Sequence, residues 1–440
     1  MEKLIIKGGK RLRGETSVSG AKNVVLKVLV AACLTEDKVV IENIPFISDL
    51  MVMVDIIRHL GGDVRFGNHL ISIKVKNIKT DTIDLEQAAE IRTSFMFLAP
   101  LLARKKSAVI PNPGGCRIGA RPIDRIVKGL QKMNVSIAYE SKDGYFHAKT
   151  TGLKGIKYRF SKSTHTGTET LILAAVLAKG KTILENAAEE PEIDELISFL
   201  NKMGARVKRV KKRTIEIVGV NKLSGTTFRI GYDRNEVVTL AVAAILTKGD
   251  IFIKGIKRNG LSEFLHELKK VGGGFEEKEN GIRFFYKEEL SPTKVVTSSY
   301  PAFMTDWQGP WALLMTKANG ESIVHETVYE NRFSYVSELE KMGGQFELFN
   351  PKVKSPRTFY NFNIDNDGEY HALKIKGPTN LHNGVLTITD LRAGATLVLA
   401  ALSAKGESII FGLEHLDRGY EQLDLRLKKL GANIERVNDE

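Results

Sequence analysis

The sequence predicts an α/β protein of two pseudo-threefold domains, each assembled from three copies of one supersecondary unit. Three observations predict it. One motif recurs six times along the chain, an almost wholly apolar helix stands before most copies, and the copies are evenly spaced. The motif is an apolar residue, two polar positions, a second apolar residue, a glycine in five of six copies, and a β-type apolar residue shortly after. Its copies are Ile57/Leu60/Gly61/Val64, Leu130/Met133/Asn134/Ile137, Leu200/Met203/Gly204/Val207, Leu268/Val271/Gly272/Phe275, Leu339/Met342/Gly343/Phe346 and Leu427/Leu430/Gly431/Ile434.

Each copy reads as an amphipathic helix closed by a residue of positive φ and followed by a strand. About twenty residues upstream of each lies a short β-type run: Val39–Ile41, Val109–Ile110, Thr182–Leu184, Ile251–Ile253, Ile323–Val324 and Ile409–Phe411. Before the runs come apolar helices such as Leu171–Ala178, Val237–Leu246 and Ala395–Leu402. A helix that is apolar all round must be buried all round, so these helices belong at domain centres with sheets and amphipathic helices outside. Six units make two domains of three.

The domain boundary falls near Gly231–Asp233. The strands at Leu4–Lys7 and Glu15–Ser19 precede the first buried helix without a unit of their own, so they are assigned to the C-terminal domain. The domains are then residues 1–21 with 232–440, and 22–231, the latter carrying the Cys116 loop. The segment Lys352–His382, rich in Asn, Asp, Gly and aromatic residues, reads as a surface insertion.

With 440 residues, 42% hydrophobic and 27% charged, the chain is a globular protein and not a disordered one. Two cysteines, Cys33 and Cys116, exclude a disulfide framework and a Cys-rich metal site. No signal peptide or membrane span is read from the sequence, which predicts a cytoplasmic protein. Lys+Arg 65 against Asp+Glu 52, a net +13, suits an anionic partner without choosing among nucleic acid, membrane and phosphorylated metabolite.

The loop from Pro111 to Pro122 combines glycines, prolines, Cys116, Arg117 and Arg121. Neighbouring guanidiniums favour a thiolate, so Cys116 is the candidate reactive thiol, the competing reading being a surface cysteine in a turn. Cys33, inside Val25–Leu34, reads as an inert buried thiol. Lys22–Asn23 opens a buried helix, an anion site or a surface lysine near a cap. Asp306 and Asp390 each open an apolar helix and read locally as caps. Arg332 and Arg418 follow strands, and equivalent loops of repeated units lie at one end of a threefold domain. Arg332, Arg392 and Arg418 are therefore expected to converge towards Lys22, Arg92 and Arg121 of the other domain in a cationic site for a small, multiply charged anion. The run Arg206–Arg213 reads as a solvated hairpin edge. No metal, phosphate-loop or dinucleotide signature is present.

Taken together, Ser-Gly-Ala-Lys22-Asn23, Pro-Gly-Gly-Cys116 through Arg121-Pro-Ile-Asp124, Glu185 through Ile193, Thr-Asp306, Glu330-Asn-Arg332-Phe, Thr-Asp390-Leu-Arg392 and Asp417-Arg418-Gly-Tyr-Glu421 resemble the enolpyruvyl transferase family, specifically the UDP-N-acetylglucosamine 1-carboxyvinyltransferases of peptidoglycan precursor synthesis. The resemblance spans essentially the whole chain. It implies two inside-out, barrel-like α/β domains, each of three βαβαββ units, and transfer of the enolpyruvyl group of phosphoenolpyruvate to the sugar 3′-hydroxyl with release of phosphate.

By the same resemblance, Lys22, Arg121 and Arg418 hold phosphoenolpyruvate, with Asn23, Arg332 and Arg392 in support. Cys116 is the proton donor to the methylene carbon and Asp306 the base towards the hydroxyl, with Asp390 nearby. Arg92, Pro122, Ile123, Asp124, Arg125, Lys162, Ser163, Thr164, His165 and Val328 match nucleotide-sugar contacts. No cofactor, metal, nucleic acid or membrane partner is implied, and the chain is expected to be a monomer and a fosfomycin target. Members usually carry a proline where Lys27 stands, a methionine at Trp307, a glycine at Asn134, and Ser-Val-Gly-Ala-Thr where this chain has a divergent Ser161–Gly167. The alternatives are an enolpyruvyl transferase with another acceptor, and a non-catalytic anion- or nucleic-acid-binding paralogue.

Overall fold

A computed structural model describes residues 2–115, 118–119, 122–364 and 368–438. Two compact units emerge. One gathers the chain up to Ser19 and from Tyr232 onward, together with Ile118 and Gly119; the other gathers Gly20–Gly115 and Pro122–Gly231. Each has its own hydrophobic core.

Six helices form the centres: Lys22–Ala32 (α1), Leu98–Arg104 (α2) and His165–Ala175 (α3) in the unit beginning at Gly20, and Arg234–Leu246 (α4), Gln308–Met315 (α5) and Leu391–Ser403 (α6) in the other. Every residue of α4 and α5 is buried: the apolar stretches Val237–Leu246, broken only by Thr239, and Gly309–Met315 as their all-round hydrophobicity requires, and the polar first-turn residues Arg234, Asn235, Glu236 and Gln308 along with them. α4, α5 and α6 pack pairwise on one another.

Among the described residues six separate sheets lie around the helices, five of four strands and one of three. In five of the six repeats the strand after the buried helix pairs antiparallel with the second strand of the antiparallel pair that follows it, as Asp250–Lys254 does with Gly281–Phe285; in the sixth, Glu407–Phe411 takes Glu2–Lys7 as its antiparallel partner. On its other side it takes a short parallel neighbour, as Val385–Thr387 beside Glu407–Phe411. In the three-stranded sheet a single bridge, Thr82 to Val109, stands in for that neighbour. Two strands arrive from the N-terminus: Glu2–Lys7 lies between Glu407–Phe411 and Asn433–Asn438, and Arg13–Ser17 runs parallel to Asp250–Lys254. Among the described residues no ladder joins one sheet to the next, so the barrel-like expectation is met by separate sheets and not by a closed strand ring. Their edges stay open because edge strands such as Arg206–Lys211 carry charge that discourages further pairing.

The six repeat landmarks share one backbone state. Gly61, Asn134, Gly204, Gly272, Gly343 and Gly431 all have positive φ, between 72° and 97°. Asn134 takes this state without glycine because its side-chain amide donates to Thr151 Oγ1 at 3.1 Å and to the Gly152 carbonyl at 3.0 Å.

One sequence expectation fails. Lys352–His382 is not wholly an insertion, since Ala372–Gly377 is an inner strand of the fifth sheet, paired with both Gly320–His325 and Phe346–Phe349. Polar and aromatic residues before it obscured the alternation of Leu373 and Ile375, both fully buried.

Candidate active site

In the unit containing α4–α6, three sequence-distant charged residues meet. Asp306 lies in a single 3-10 turn, Thr305–Trp307, ahead of α5. Its Oδ1 accepts from Arg332 Nη2, and its Oδ2 lies 3.4 Å from Arg392 Nη2. Both arginines are at least nine-tenths buried. Burial works against a guanidinium, but for Arg332 the carboxylates of Asp306, Asp390 and Glu326 outweigh it and raise its pKa. The Arg392 pKa is raised in the same way, by Tyr420 and Asp306 acting against burial.

The remaining contacts fix these groups. Arg332 Nε donates to Thr305 Oγ1 at 3.2 Å, whose hydroxyl donates to Glu326 Oε2 at 2.9 Å. Glu326 Oε1 accepts the N–H groups of Val328 and Tyr329 at 2.7 and 3.1 Å. Arg392 Nη1 reaches the Tyr420 hydroxyl at 3.1 Å, and that hydroxyl lies 2.8 Å from Thr239 Oγ1. Asp390 caps α6, accepting from the N–H groups of Arg392 and Ala393, and it also takes the Ser334 hydroxyl at 2.8 Å. The cap reading therefore holds for Asp390 and fails for Asp306, whose carboxylate serves arginines. Trp307 turns inward, its indole N–H donating to Asn235 Oδ1 at 3.0 Å. Arg418 does not directly follow a strand. It ends a helical turn, Leu413–Asp417, and is half-buried.

The other unit holds the second set. Lys22 is the first residue of α1, and its ammonium lies 2.7 Å from Asp49 Oδ2, both residues buried, so it is no loose surface lysine. Asn23 follows it, half-buried. Arg92 begins the 3-10 helix Arg92–Phe97 and is half-buried. Pro122 and Asp124 are exposed, Ile123 precedes the helix Asp124–Lys132, and Arg125 Nη1 reaches the Ser163 carbonyl at 3.4 Å. Lys162, Ser163, Thr164 and His165 lead into α3, with Thr164 Oγ1 accepting the Gly167 N–H at 3.2 Å as its cap. Val328, in the first unit, is half-buried. Cys116 and Arg121 lie outside the described residues. Cys33 is free and buried, and burial pushes its thiol up to about 12.

Sequence reading missed Thr305, Glu326, Ser334 and Asp49 as partners. For Glu326 a signal existed: a carboxylate directly after the buried strand Gly320–His325 needs a partner. Among the described residues no group of three or more metal-ligating side chains occurs, and no helix is long and apolar enough to cross a membrane.

Within the unit containing α4–α6, the Asp306 carboxylate, the two buried guanidiniums and the hydroxyls of Thr305 and Tyr420 form a set suited to acid–base chemistry on an anionic substrate. Residues 6–427 match the family model for EPSP synthase, 3-phosphoshikimate 1-carboxyvinyltransferase. The chain is 40% identical over 440 residues to UDP-N-acetylglucosamine 1-carboxyvinyltransferase 1 of Carboxydothermus hydrogenoformans, covering 100% of this chain and 99% of that protein. It is 38% identical to the protein of that name in Staphylococcus aureus strain N315, covering 100% of both. Among solved structures, the enolpyruvyl transferase NikO of Streptomyces tendae superposes with a TM-score of 0.87 at 23% identity, covering 100% of this chain and 99% of that one. EPSP synthase of Acinetobacter baumannii gives 0.73 at 18%, covering 100% of both.

Proposed function

Because this chain belongs to the carboxyvinyl (enolpyruvyl) transferase family, we propose that it transfers the enolpyruvyl group of phosphoenolpyruvate to the 3′-hydroxyl of UDP-N-acetylglucosamine, releasing phosphate. The observation that carries this reading is the full-length identity of 38–40% to relatives bearing that activity as their name. The buried Asp306–Arg332–Arg392 constellation supports it chemically.

In this reading Cys116 protonates the methylene carbon while the sugar oxygen attacks the neighbouring carbon and Asp306 accepts the hydroxyl proton. Loss of phosphate and of a methyl proton from the adduct then restores the double bond as an enol ether. Arg332 and Arg392 both bear on the Asp306 carboxylate. Phosphoenolpyruvate brings a carboxylate and a phosphate of its own, which draw on Arg332, Arg392, Arg418, Lys22 and Arg121 and loosen the hold on Asp306. Asn23 supports the phosphate, and Asp390 keeps Arg392 in place through the first turn of α6. Arg92, Pro122–Arg125, Lys162–His165 and Val328 take the nucleotide sugar. A cytoplasmic location, a monomeric state and sensitivity to fosfomycin belong to the same reading.

The test is phosphate release on mixing phosphoenolpyruvate with UDP-N-acetylglucosamine, against each alone and against 3-phosphoshikimate as acceptor. Release only with the nucleotide sugar, with a product one carboxyvinyl group heavier, is expected. Release only with 3-phosphoshikimate would reassign the acceptor.

A further inference from the structure

Three ionisable side chains from two helices meet inside the unit that contains α3. Glu169 on α3 is fully buried. Its Oε2 lies 3.4 Å from Lys27 Nζ on α1, and its Oε1 lies 3.2 Å from His165 Nε2, one turn earlier on α3. Lys27 is itself buried and also donates to the Asn23 carbonyl at 2.8 Å. A buried carboxylate without charge partners is strongly destabilising, so Glu169 depends on these two cations.

The position of His165 gives the cluster a direction. As first residue of α3 it sits at the positive end of the helix dipole, where a cation does the helix no good. It still keeps a quarter of its side chain exposed, 25%, while its partner is sealed. The charged groups acting on the ring are Glu169 on its own helix, Glu190 just before the helix Pro191–Lys202, and Lys27 on α1. Burial lowers the imidazole pKa, Lys27 lowers it further, and the two carboxylates outweigh both, pushing it up to about 9. Beside it, Arg125 reaches the carbonyl of Ser163.

We propose that Glu169 and Lys27 are positioning residues for substrate recognition: the sealed carboxylate, shared between the Lys27 ammonium and the His165 ring, presents His165 as a fixed cation to the diphosphate of the nucleotide sugar. This rests on the reading above that Lys162–His165 takes that substrate. Lys27 has a second part, since its bond to the Asn23 carbonyl ties the same carboxylate to the turn carrying Lys22 and Asn23.

The experiment is Glu169→Gln, followed by the KM for UDP-N-acetylglucosamine at pH 6 and pH 8 with phosphoenolpyruvate saturating, and by nuclear magnetic resonance titration of the His165 ring in the free enzyme. In the wild type the ring stays protonated across this range. In the variant its titration moves down, and KM rises roughly tenfold at pH 8, the loss of one charge-assisted contact. That rise shrinks towards pH 6, with kcat little changed, and Glu169→Asp recovers part of the effect. An unmoved His165 titration, or a KM rise equal at both pH values, overturns the proposal. If Glu169→Gln fails to fold, Lys27→Met/Glu169→Gln removes both charges together and is read in the same way. If the wild type turns over no nucleotide sugar, the functional reading has failed separately. UDP binding by calorimetry at the two pH values then tests the cluster: pH-independent affinity in the wild type with loss at pH 8 in the variant supports it, and identical profiles overturn it.

Discussion

The Arg392 guanidinium stands 3.4 Å from a carboxylate oxygen of Asp306 across 86 residues of sequence. The same guanidinium donates to the Tyr420 hydroxyl, so one planar group joins the turn before α5, the first turn of α6 and the segment after Leu413–Asp417. Arg392→Lys keeps the charge but loses the fork that serves both partners. Turnover should fall roughly tenfold or more, and Tyr420→Phe should cost less. Steady-state kinetics on the three proteins check the order; equal activity of Arg392→Lys and wild type would remove the fork from the mechanism.

Lys22→Ala should lose turnover by roughly tenfold or more and also lower stability, because Asp49 would lose its ammonium partner at 2.7 Å. Arg209→Ala is the control. From the basic hairpin its guanidinium pairs with Asp194 on the helix Pro191–Lys202, and removing it should leave kcat/KM unchanged. Matched losses in both variants would point to a diffuse electrostatic role and favour the nucleic-acid alternative.

Alkylation separates the two cysteines. Cys33 is buried with its thiol pushed up to about 12, so it offers almost no thiolate at neutral pH. Fosfomycin or iodoacetamide should therefore label Cys116 alone, and Cys116→Ser should abolish labelling. Peptide mass spectrometry locates the adduct; one found on Cys33 would contradict both assignments.

Glu195 supplies a pH dependence of stability. Burial, reinforced by Glu192 and opposed by the Gly231 N–H at 2.5 Å, pushes its carboxyl up to about 6. The folded state then binds this proton more tightly than the unfolded chain, so the group costs stability above pH 6 and the cost fades as pH falls towards the ordinary carboxyl range. Glu195→Gln, which keeps an acceptor for Gly231, should be more stable than wild type at pH 7 to 8 by no more than about 1 kcal/mol, after discounting for partial exposure. Melting temperatures at pH 5 and 8 read it: an advantage that grows at the lower pH would reverse the sign and defeat the argument.

The sequence by itself determined the six repeats, because each buried helix and each positive-φ landmark is written in neighbouring residues: Val237–Leu246 is apolar but for Thr239, and Gly204 or Asn134 closes a helix through local backbone geometry. It also determined the burial of Cys33 within an apolar run. Partners were left to the tertiary structure. Local pattern made Asp306 and Asp390 equivalent helix-opening carboxylates, yet only Asp390 caps its helix, because Arg332 and Arg392 arrive at Asp306 from 26 and 86 residues away. The same holds for Lys22 with Asp49, for Lys27 with Glu169, and for the strand Ala372–Gly377, whose place is fixed by two flanking strands. A charge or a strand edge is satisfied by whatever the fold brings within about 3–4 Å, and sequence spacing does not encode that distance.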